Sequence, residues 1–169
     1  MPPVYLVRGG TLVDDVLQLF LANTRVPAER RGDLLAQLAA LRVGAARLTA
    51  FVERAGAAGA RRAMTALQDY SERSTRAALR ALPRGTWRAR DVLDDDGIAA
   101  ADIAIAVTVR LAGDRALVDF AGSAPQVRGG VNANYAVTLA AVYYVFRTLI
   151  GRAVPTNAGF MRPISFRKT

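Results

Sequence analysis

The sequence predicts an α+β protein in which a long antiparallel helical hairpin accompanies a small antiparallel sheet and a buried helix. Three observations predict this class. Apolar residues recur at steps of three and four over residues 12–82, the period changes to two beyond Leu82-Pro83-Arg84-Gly85, and a strongly apolar run follows at residues 135–146. Residues 1–82 are therefore expected to form the helical part, and residues 83–169 the sheet plus the buried helix.

The first predicted helix follows an extended lead that ends in a turn at Gly9-Gly10. Thr11 is expected to cap this helix, with Asp14 at its third position. One face carries its apolar residues, which are Leu12, Val13, Val16, Leu17, Phe20 and Leu21. Residues 23–27 end the helix, and Pro27 is well placed in the first turn of the next one.

Two longer helices are predicted on either side of a break at residues 56–59. The apolar stripe of the first consists of Leu34, Leu38, Leu41, Ala45, Leu48 and Val52. The corresponding face of the second consists of Met64, Leu67, Ser71, Ser74, Ala78 and Leu82. Together the two helices are interpreted as an antiparallel hairpin. We expect the stripe to pack within the chain, and the alternative is a seam between two copies.

A three-strand meander is predicted next. Residues 86–93 form its first strand, and the acidic run at residues 94–97 forms a turn. Residues 103–111 alternate apolar and small or polar positions, as a half-buried strand does. Gly113-Asp114 is typical of a two-residue hairpin turn with glycine first, so residues 115–120 should pair with the strand before them.

The end of the chain contains a turn-rich junction, a helix and a tail. The helix is expected over residues 134–150, and residues 155–160 are interpreted as a loop before a last short strand. The sequence ends at Arg167-Lys168-Thr169 without a turn or cap to finish that strand. We therefore expect residues 1–169 to be a single fragment of a larger subunit.

Composition excludes several function classes. The net charge of +9 comes from 22 arginines and one lysine scattered along every segment, without a basic tail or interleaved aromatic residues, so we expect no nucleic-acid partner. Cysteine and histidine are absent, which removes thiolate chemistry and the commonest general base. No secretory signal is visible, and the apolar run at 135–146 is shorter than the roughly 20 residues of a membrane span. We expect a cytoplasmic protein with no membrane contact.

Asp94, Asp95 and Asp96 could bind a hard cation, because a divalent ion relieves the repulsion between adjacent carboxylates. An EF-hand template fails, since its first and twelfth positions would be Val92 and Ile103. The favoured interpretation is a solvated turn, and no metal ligand is assigned to this chain.

The junction holds the candidate binding residues. Its amide and basic side chains lie beside Gly129-Gly130, just before a helix whose first N–H groups favour an anion or a carbonyl. The alternative is that Asn132 or Asn134 is simply the helix N-cap and that the glycines only make a turn. Ser123 is not interpreted as a nucleophile, because no histidine exists to activate it. The predicted substrate or subunit contacts are Ser123, Gln126, Arg128, Asn132 and Asn134, with Asp119 supporting them.

Collinear motifs across nearly the whole chain give it a resemblance to the hydantoinase B family. The most recognisable motif is Gly122-Ser123-Ala124-Pro125-Gln126-Val127-Arg128-Gly129. The other motifs that resemble the family lie at residues 31–34, 42–44, 70–73, 79–83, 91–97, 118–120, 157–159 and 162–164. The family comprises B subunits of N-methylhydantoinases, the matching half of 5-oxoprolinases, and large subunits of acetone and acetophenone carboxylases.

The resemblance implies that the chain is part of the B subunit of an ATP-dependent cyclic-amide hydrolase. It implies a hetero-oligomer with a hydantoinase A-type subunit that carries ATP with Mg, a small cyclic amide as substrate, and a divalent metal in the part of the family's sequence that this chain lacks. No catalytic residue is carried over, so the isolated chain is expected to have no catalysis of its own. The alternative is a non-catalytic assembly module of a hydantoinase-like or ketone carboxylase complex.

Overall fold

The structure is a computed structural model and describes residues 3–99, 101–151 and 154–167. Helices and a small mixed sheet confirm the α+β class. The elements in chain order are β1 (Val7–Arg8), β2 (Thr11–Leu12), α1 (Asp14–Ala22), α2 (Pro27–Ala81), β3 (Gly85–Asp95), β4 (Ala101–Ala112), β5 (Arg115–Asp119), α3 (Tyr135–Ile150), α4 (Ala158–Met161) and β6 (Ile164–Arg167). They divide between two compact units, Met1–Ala60 and Arg61–Thr169.

The first unit begins with a small hairpin. β1 pairs antiparallel with β2 across Gly9 and Gly10, whose φ values of 56° and 85° suit a tight turn that other residues adopt at a cost. The predicted cap at Thr11 is wrong, because Thr11 lies in β2 and α1 has Val13 at its N-cap without a side-chain hydrogen bond. Leu17 and Leu21 of the predicted stripe are buried.

α2 is interrupted at Gly56, whose φ of 69° and ψ of 153° are not helical, so the break lies at the start of the predicted segment. Before the break, Leu41 is 69% exposed and Leu48 is 48% exposed. The expectation that these two residues pack within the chain is therefore wrong. The antiparallel pairing of the two helical segments stays a prediction.

Beyond the break, α2 buries a face that overlaps the predicted one at Ser71 and, just past the end of the helix, at the partly buried Leu82. Ser71, Thr75 and Leu79 are fully buried at steps of four, whereas Met64 and Leu67 are exposed. The Thr75 hydroxyl donates to the Ser71 carbonyl at 2.8 Å, which satisfies it without a partner from another element. Ser71 belongs to the predicted face, whereas Thr75 and Leu79 do not, so the prediction is correct for part of this face only.

Among the described helices, α2 is long and apolar enough, by length and composition only, to cross a membrane, with a mean hydropathy of 1.3 over 18 residues. One such helix does not establish a membrane span, because core helices of soluble proteins reach the same hydropathy. Arg42 and Arg47 lie within the stretch from Leu34 to Val52. Each arginine would oppose insertion by about 2.5–3.5 kcal/mol at a helix centre.

The second unit is built on a four-stranded sheet of order β3-β4-β5-β6. The meander is confirmed, with β3 antiparallel to β4 and β4 antiparallel to β5. Gly113 has a φ of 65° and Asp114 does not have a positive φ, as the glycine-first turn requires. β6 adds a parallel strand beside β5. Parallel neighbours need a crossover, which α3 and α4 supply.

One apolar core joins this sheet to α3, α4 and the end of α2. Its buried members are Leu79, Ala116, Val118, Val142, Phe146, Val154, Phe160 and Ile164. α3 contributes Val142 and Phe146 but leaves Val137, Tyr144 and Leu149 exposed. The prediction of a buried helix therefore holds for one face only. The predicted loop at 155–160 contains the short helix α4, which buries Phe160 completely.

The tail is fastened to α2 by polar contacts. Asn157 caps α4 and donates to the Ser71 hydroxyl at 2.9 Å. Arg162 binds Asp69 at 2.9 Å and Glu72 at 3.0 Å, and Arg76 binds Glu72 at 2.7 Å. Hydrogen bonds from Arg76 and Arg162 hold the pKa of the Glu72 carboxyl below its usual value. Segments separated by 90 residues or more thus meet in one ionic cluster.

Candidate functional site

The junction between β5 and α3 begins by extending the sheet. β4 pairs with β5 only from Thr108 to Ala112, so the backbone of its earlier residues needs other partners. Ser123 supplies them, because its hydroxyl accepts from Ala106 N at 3.0 Å and donates to Ala106 O at 3.0 Å. Ala124 N then donates to Ala104 O at 2.8 Å. Ser123 therefore acts as a strand partner of Ala106.

Asp96 anchors the middle of the junction. Its carboxylate is 5% exposed, and Oδ1 accepts from the backbone of Ile98 at 2.9 Å and Ala99 at 2.8 Å. Oδ2 accepts from the backbone of Gly129 at 2.9 Å. Asp94 and Asp95 of the predicted turn at 94–97 lie in β3, so the chain turns only from Asp96 onward, and the interpretation as a solvated turn is wrong for Asp96. An aspartate directly before a glycine is a common turn signal, and Asp96-Gly97 carries it in the sequence.

Gly129 is buried against Asp96, and a Cβ built on it would lie 1.8 Å from the Asp96 carbonyl oxygen. Gly129 therefore makes the close approach that was predicted for the glycine pair. The group that it approaches is the Asp96 backbone of the same chain. Gly130 has open space around it. The two glycines thus have different roles.

Two of the candidate asparagines shape the junction. The Asn132 side chain accepts from Val127 N at 2.9 Å and donates to Val127 O at 2.7 Å and Gly129 O at 2.8 Å. Asn134 is the N-cap of α3 and accepts from Val137 N at 3.0 Å. The N-cap alternative is therefore correct for Asn134.

The other candidates differ in how far they are engaged. Asp119 accepts from Ala121 N at 2.9 Å and faces Arg167 at 3.8 Å. Gln126 and Arg128 are exposed, and within residues 3–99, 101–151 and 154–167 neither side chain has a hydrogen bond or an ion pair. Of the six candidates, these two have side chains that stay unengaged within the described residues.

The junction forms one wall of an open apolar groove with a volume of about 690 Å³. The groove lies where the end of β3 and the start of β4 extend beyond β5, which leaves Leu93 and Ile105 partly exposed next to the start of α3. Phe166 forms part of the lining, with its ring centroid 5.6 Å from that of Phe120 and 5.5 Å from that of Tyr135. The remaining apolar lining includes Leu93, Ile103, Ile105, Val127, Val131, Val137 and Ala141.

Few polar side chains face this groove. Ser123 and Asn132 are engaged as described above, and the Thr138 hydroxyl donates to Asn134 O at 3.2 Å. Gln126 lines the groove with its amide unengaged by the described residues. Of the six predicted contacts, the groove brings together Ser123, Gln126 and Asn132, whereas Asp119, Arg128 and Asn134 lie outside its lining.

Among the described residues, no group of three or more acidic, histidine or cysteine side chains is arranged to hold a metal ion. In the acidic run, Asp95 accepts from Gly97 N at 2.7 Å, while Asp96 turns inward to Gly129. Their carboxylates therefore serve backbone amides.

Comparison with known proteins gives this α+β chain its class. The family model described as Hydantoinase B/oxoprolinase matches residues 1–168. The chain belongs to the hydantoinase B/oxoprolinase family, as the motifs predicted.

Individual relatives support the same family membership. The chain is 33% identical over 165 residues to the beta subunit of the caprolactamase of Pseudomonas jessenii, covering 98% of this chain and 28% of the relative. It is 35% identical over 153 residues to the B subunit of a putative D-/L-hydantoinase of a Pseudomonas species, covering 84% and 26%. The crystal structure of the ATP-dependent caprolactamase from Pseudomonas jessenii matches with a TM-score of 0.82 and 32% identity, covering 100% of this chain and 29% of that one. The chain thus spans less than a third of these relatives.

Proposed function

We propose that this chain is part of the B-type subunit of an ATP-dependent cyclic-amide hydrolase and that its groove receives the ring of the substrate. Its relatives, named as the beta subunit of a caprolactamase and the B subunit of a hydantoinase, support a multi-subunit, amide-opening enzyme. In this proposal an A-type partner subunit carries ATP with Mg, and a divalent metal belongs to other parts of the cytoplasmic hetero-oligomer.

The observation that carries the proposal is the composition of the groove. Ligand pockets are typically apolar, with a few placed polar groups and volumes of about 300–1,000 Å³. A groove of about 690 Å³ lined by Ile103, Ile105 and Phe120 suits the methylenes of a lactam. Gln126 offers the polar group that a lactam amide needs.

The other junction residues then have supporting roles. Ser123 and Asn132 hold the wall in place, Asn134 starts α3, and Asp119 fixes the turn after β5. Arg128 points to no described partner and is proposed as a contact for the partner subunit. The unactivated amide is a poor electrophile, so phosphorylation of the substrate with ATP would precede ring opening, and this chain would orient the ring.

The test is an NMR titration of the purified chain with caprolactam. The proposal predicts chemical-shift changes at Ile103, Gln126 and Thr138. Ala141→Phe should abolish these changes by filling the groove, whereas Ala140→Phe, on a neighbouring exposed position outside the lining, should leave them intact. Absence of shifts at the solubility limit of the lactam, or shifts confined to other surfaces, would overturn the proposal.

An assembly module is the second candidate, and the exposure of large apolar side chains favours it. Leu41 in α2 and Tyr144 in α3 are 69% and 72% exposed, as residues at protein contacts often are before assembly. This function predicts self-association or capture by the remainder of a family-length subunit. Leu41→Glu and Tyr144→Glu would weaken that association, and a groove that ignores caprolactam would favour this candidate over the first.

A further inference from the structure

We infer that Gln126 determines specificity for cyclic secondary amides by pairing with the ring N–H and C=O together; this inference rests on the proposed function. A primary carboxamide presents an acceptor oxygen and donor hydrogens side by side. A lactam ring forces its own N–H and C=O onto the same side, so the two amides match through two parallel hydrogen bonds. A linear trans amide directs these groups to opposite sides and can make one such bond at a time.

The surroundings of Gln126 support this role. The side chains of Ser123 and Asn132 have their hydrogen-bonding groups turned toward the chain's own backbone. Gln126 has no hydrogen-bond partner among the described residues, although it lines the groove. Apolar side chains, including Val127 and Ile105, line the groove beside Gln126 and suit the methylenes of the paired ring.

The junction also limits how far Gln126 can shift. Its neighbour Val127 is held at both backbone groups by Asn132, at 2.9 and 2.7 Å. On the other side, Ala124 N is fixed to Ala104 O at 2.8 Å. A side chain presented from a backbone fixed on both sides loses less freedom on binding, which favours selection of one ligand geometry.

The experiment compares dissociation constants for caprolactam and N-methylcaprolactam by calorimetry. The wild-type chain should bind the N-methyl ligand roughly tenfold more weakly, since methylation removes one hydrogen bond and blocks the pairing geometry. In Gln126→Ala the two ligands should bind with nearly equal constants. Gln37→Ala, which removes the same side chain at an exposed position of α2 outside the groove lining, should keep the wild-type ratio.

Gln126→Glu distinguishes direct pairing with the ligand from a merely structural role of residue 126. Its ionised carboxylate only accepts, so caprolactam should bind weakly at neutral pH, whereas the protonated acid donates and accepts as the amide does. Affinity should recover as the pH falls through the carboxyl pKa, near 4.3 in model peptides, with wild type measured at each pH.

The outcomes separate the two claims. Equal discrimination in wild type and Gln126→Ala, with caprolactam still bound in the groove, overturns the inference alone. Failure of the wild-type chain to bind either ligand overturns the proposed function and the inference with it.

Discussion

The carboxylate of Asp96 accepts the backbone N–H of Gly129 at 2.9 Å, in a contact too tight for any side chain on residue 129. This relationship joins the end of β3 to the loop that forms the groove wall, 33 residues further along the chain. The two segments that resemble family motifs, at residues 91–97 and 122–129, are therefore bonded to each other. Most polar side chains of the junction bond to the chain's own backbone. Gln126 lines the groove and is the residue that we propose to contact the ligand.

Gly129→Ala should destabilise the protein by about 1–3 kcal/mol, because the backbone oxygen of Asp96 cannot move aside as a flexible side chain would. Gly130→Ala is the matched control and should be neutral or slightly stabilising, since its site is open and its φ is not positive. Urea unfolding followed by circular dichroism measures both. Equal midpoints for the two variants would contradict the close approach.

Asp96→Asn should lower stability by about 1–3 kcal/mol, since it weakens charge-assisted bonds to three backbone N–H groups and can place an NH₂ against one of them. Asp94→Asn, at an exposed position of the same run, should change it little. The same urea experiment compares the two. A larger effect at Asp94 would show that the anchor has been misplaced.

Ser123→Ala should expose the β4 backbone at Ala106, because both of its polar groups lose their partner. The amide of Ala106 is expected to exchange with solvent roughly tenfold faster, as an unsatisfied group of about 1–3 kcal/mol implies. Ser165→Ala, on an exposed position of β6, serves as the control. Unchanged protection of Ala106 in hydrogen-exchange NMR would argue against the strand-partner role.

The ionic cluster at Arg162 should make stability depend on acid pH. The folded-state pKa of Glu72 lies below its usual 4.5, owing first to the hydrogen bond from Arg76 and then to that from Arg162. Its stabilising contribution is therefore complete above about pH 4.5 and is lost as the pH falls through the lower folded value. Urea midpoints of wild type and Glu72→Gln should differ at pH 7 and converge in acid. A constant difference would contradict this linkage.

Local patterns predicted much of the fold. Period-two alternation located the meander, and glycine at residue 113 identified the turn type. What the patterns missed depends on contacts between distant segments. The parallel pairing of β6 with β5 joins strands separated by α3 and α4, and Thr75, which is fully buried on α2, is polar and lies outside the predicted face.

The sequence predicts the junction between β5 and α3 as the candidate site, and the structure shows which contacts its polar residues make. Asn134 as the N-cap could be read from its position before an apolar helix. Composition could not show that Ser123 pairs with Ala106 or that Gly129 packs against Asp96, because each bond joins segments brought together by the sheet. The same patterns could not distinguish Gln126, unengaged within the described chain, from the engaged Asn132.

A crystal structure of the chain soaked with caprolactam tests the central claim most directly. The account predicts the ring between Ile105 of β4 and the start of α3, with its N–H and C=O within hydrogen-bond distance of the Gln126 amide. Density for the lactam at another surface, or an empty groove in crystals where the groove is open to solvent, would contradict it.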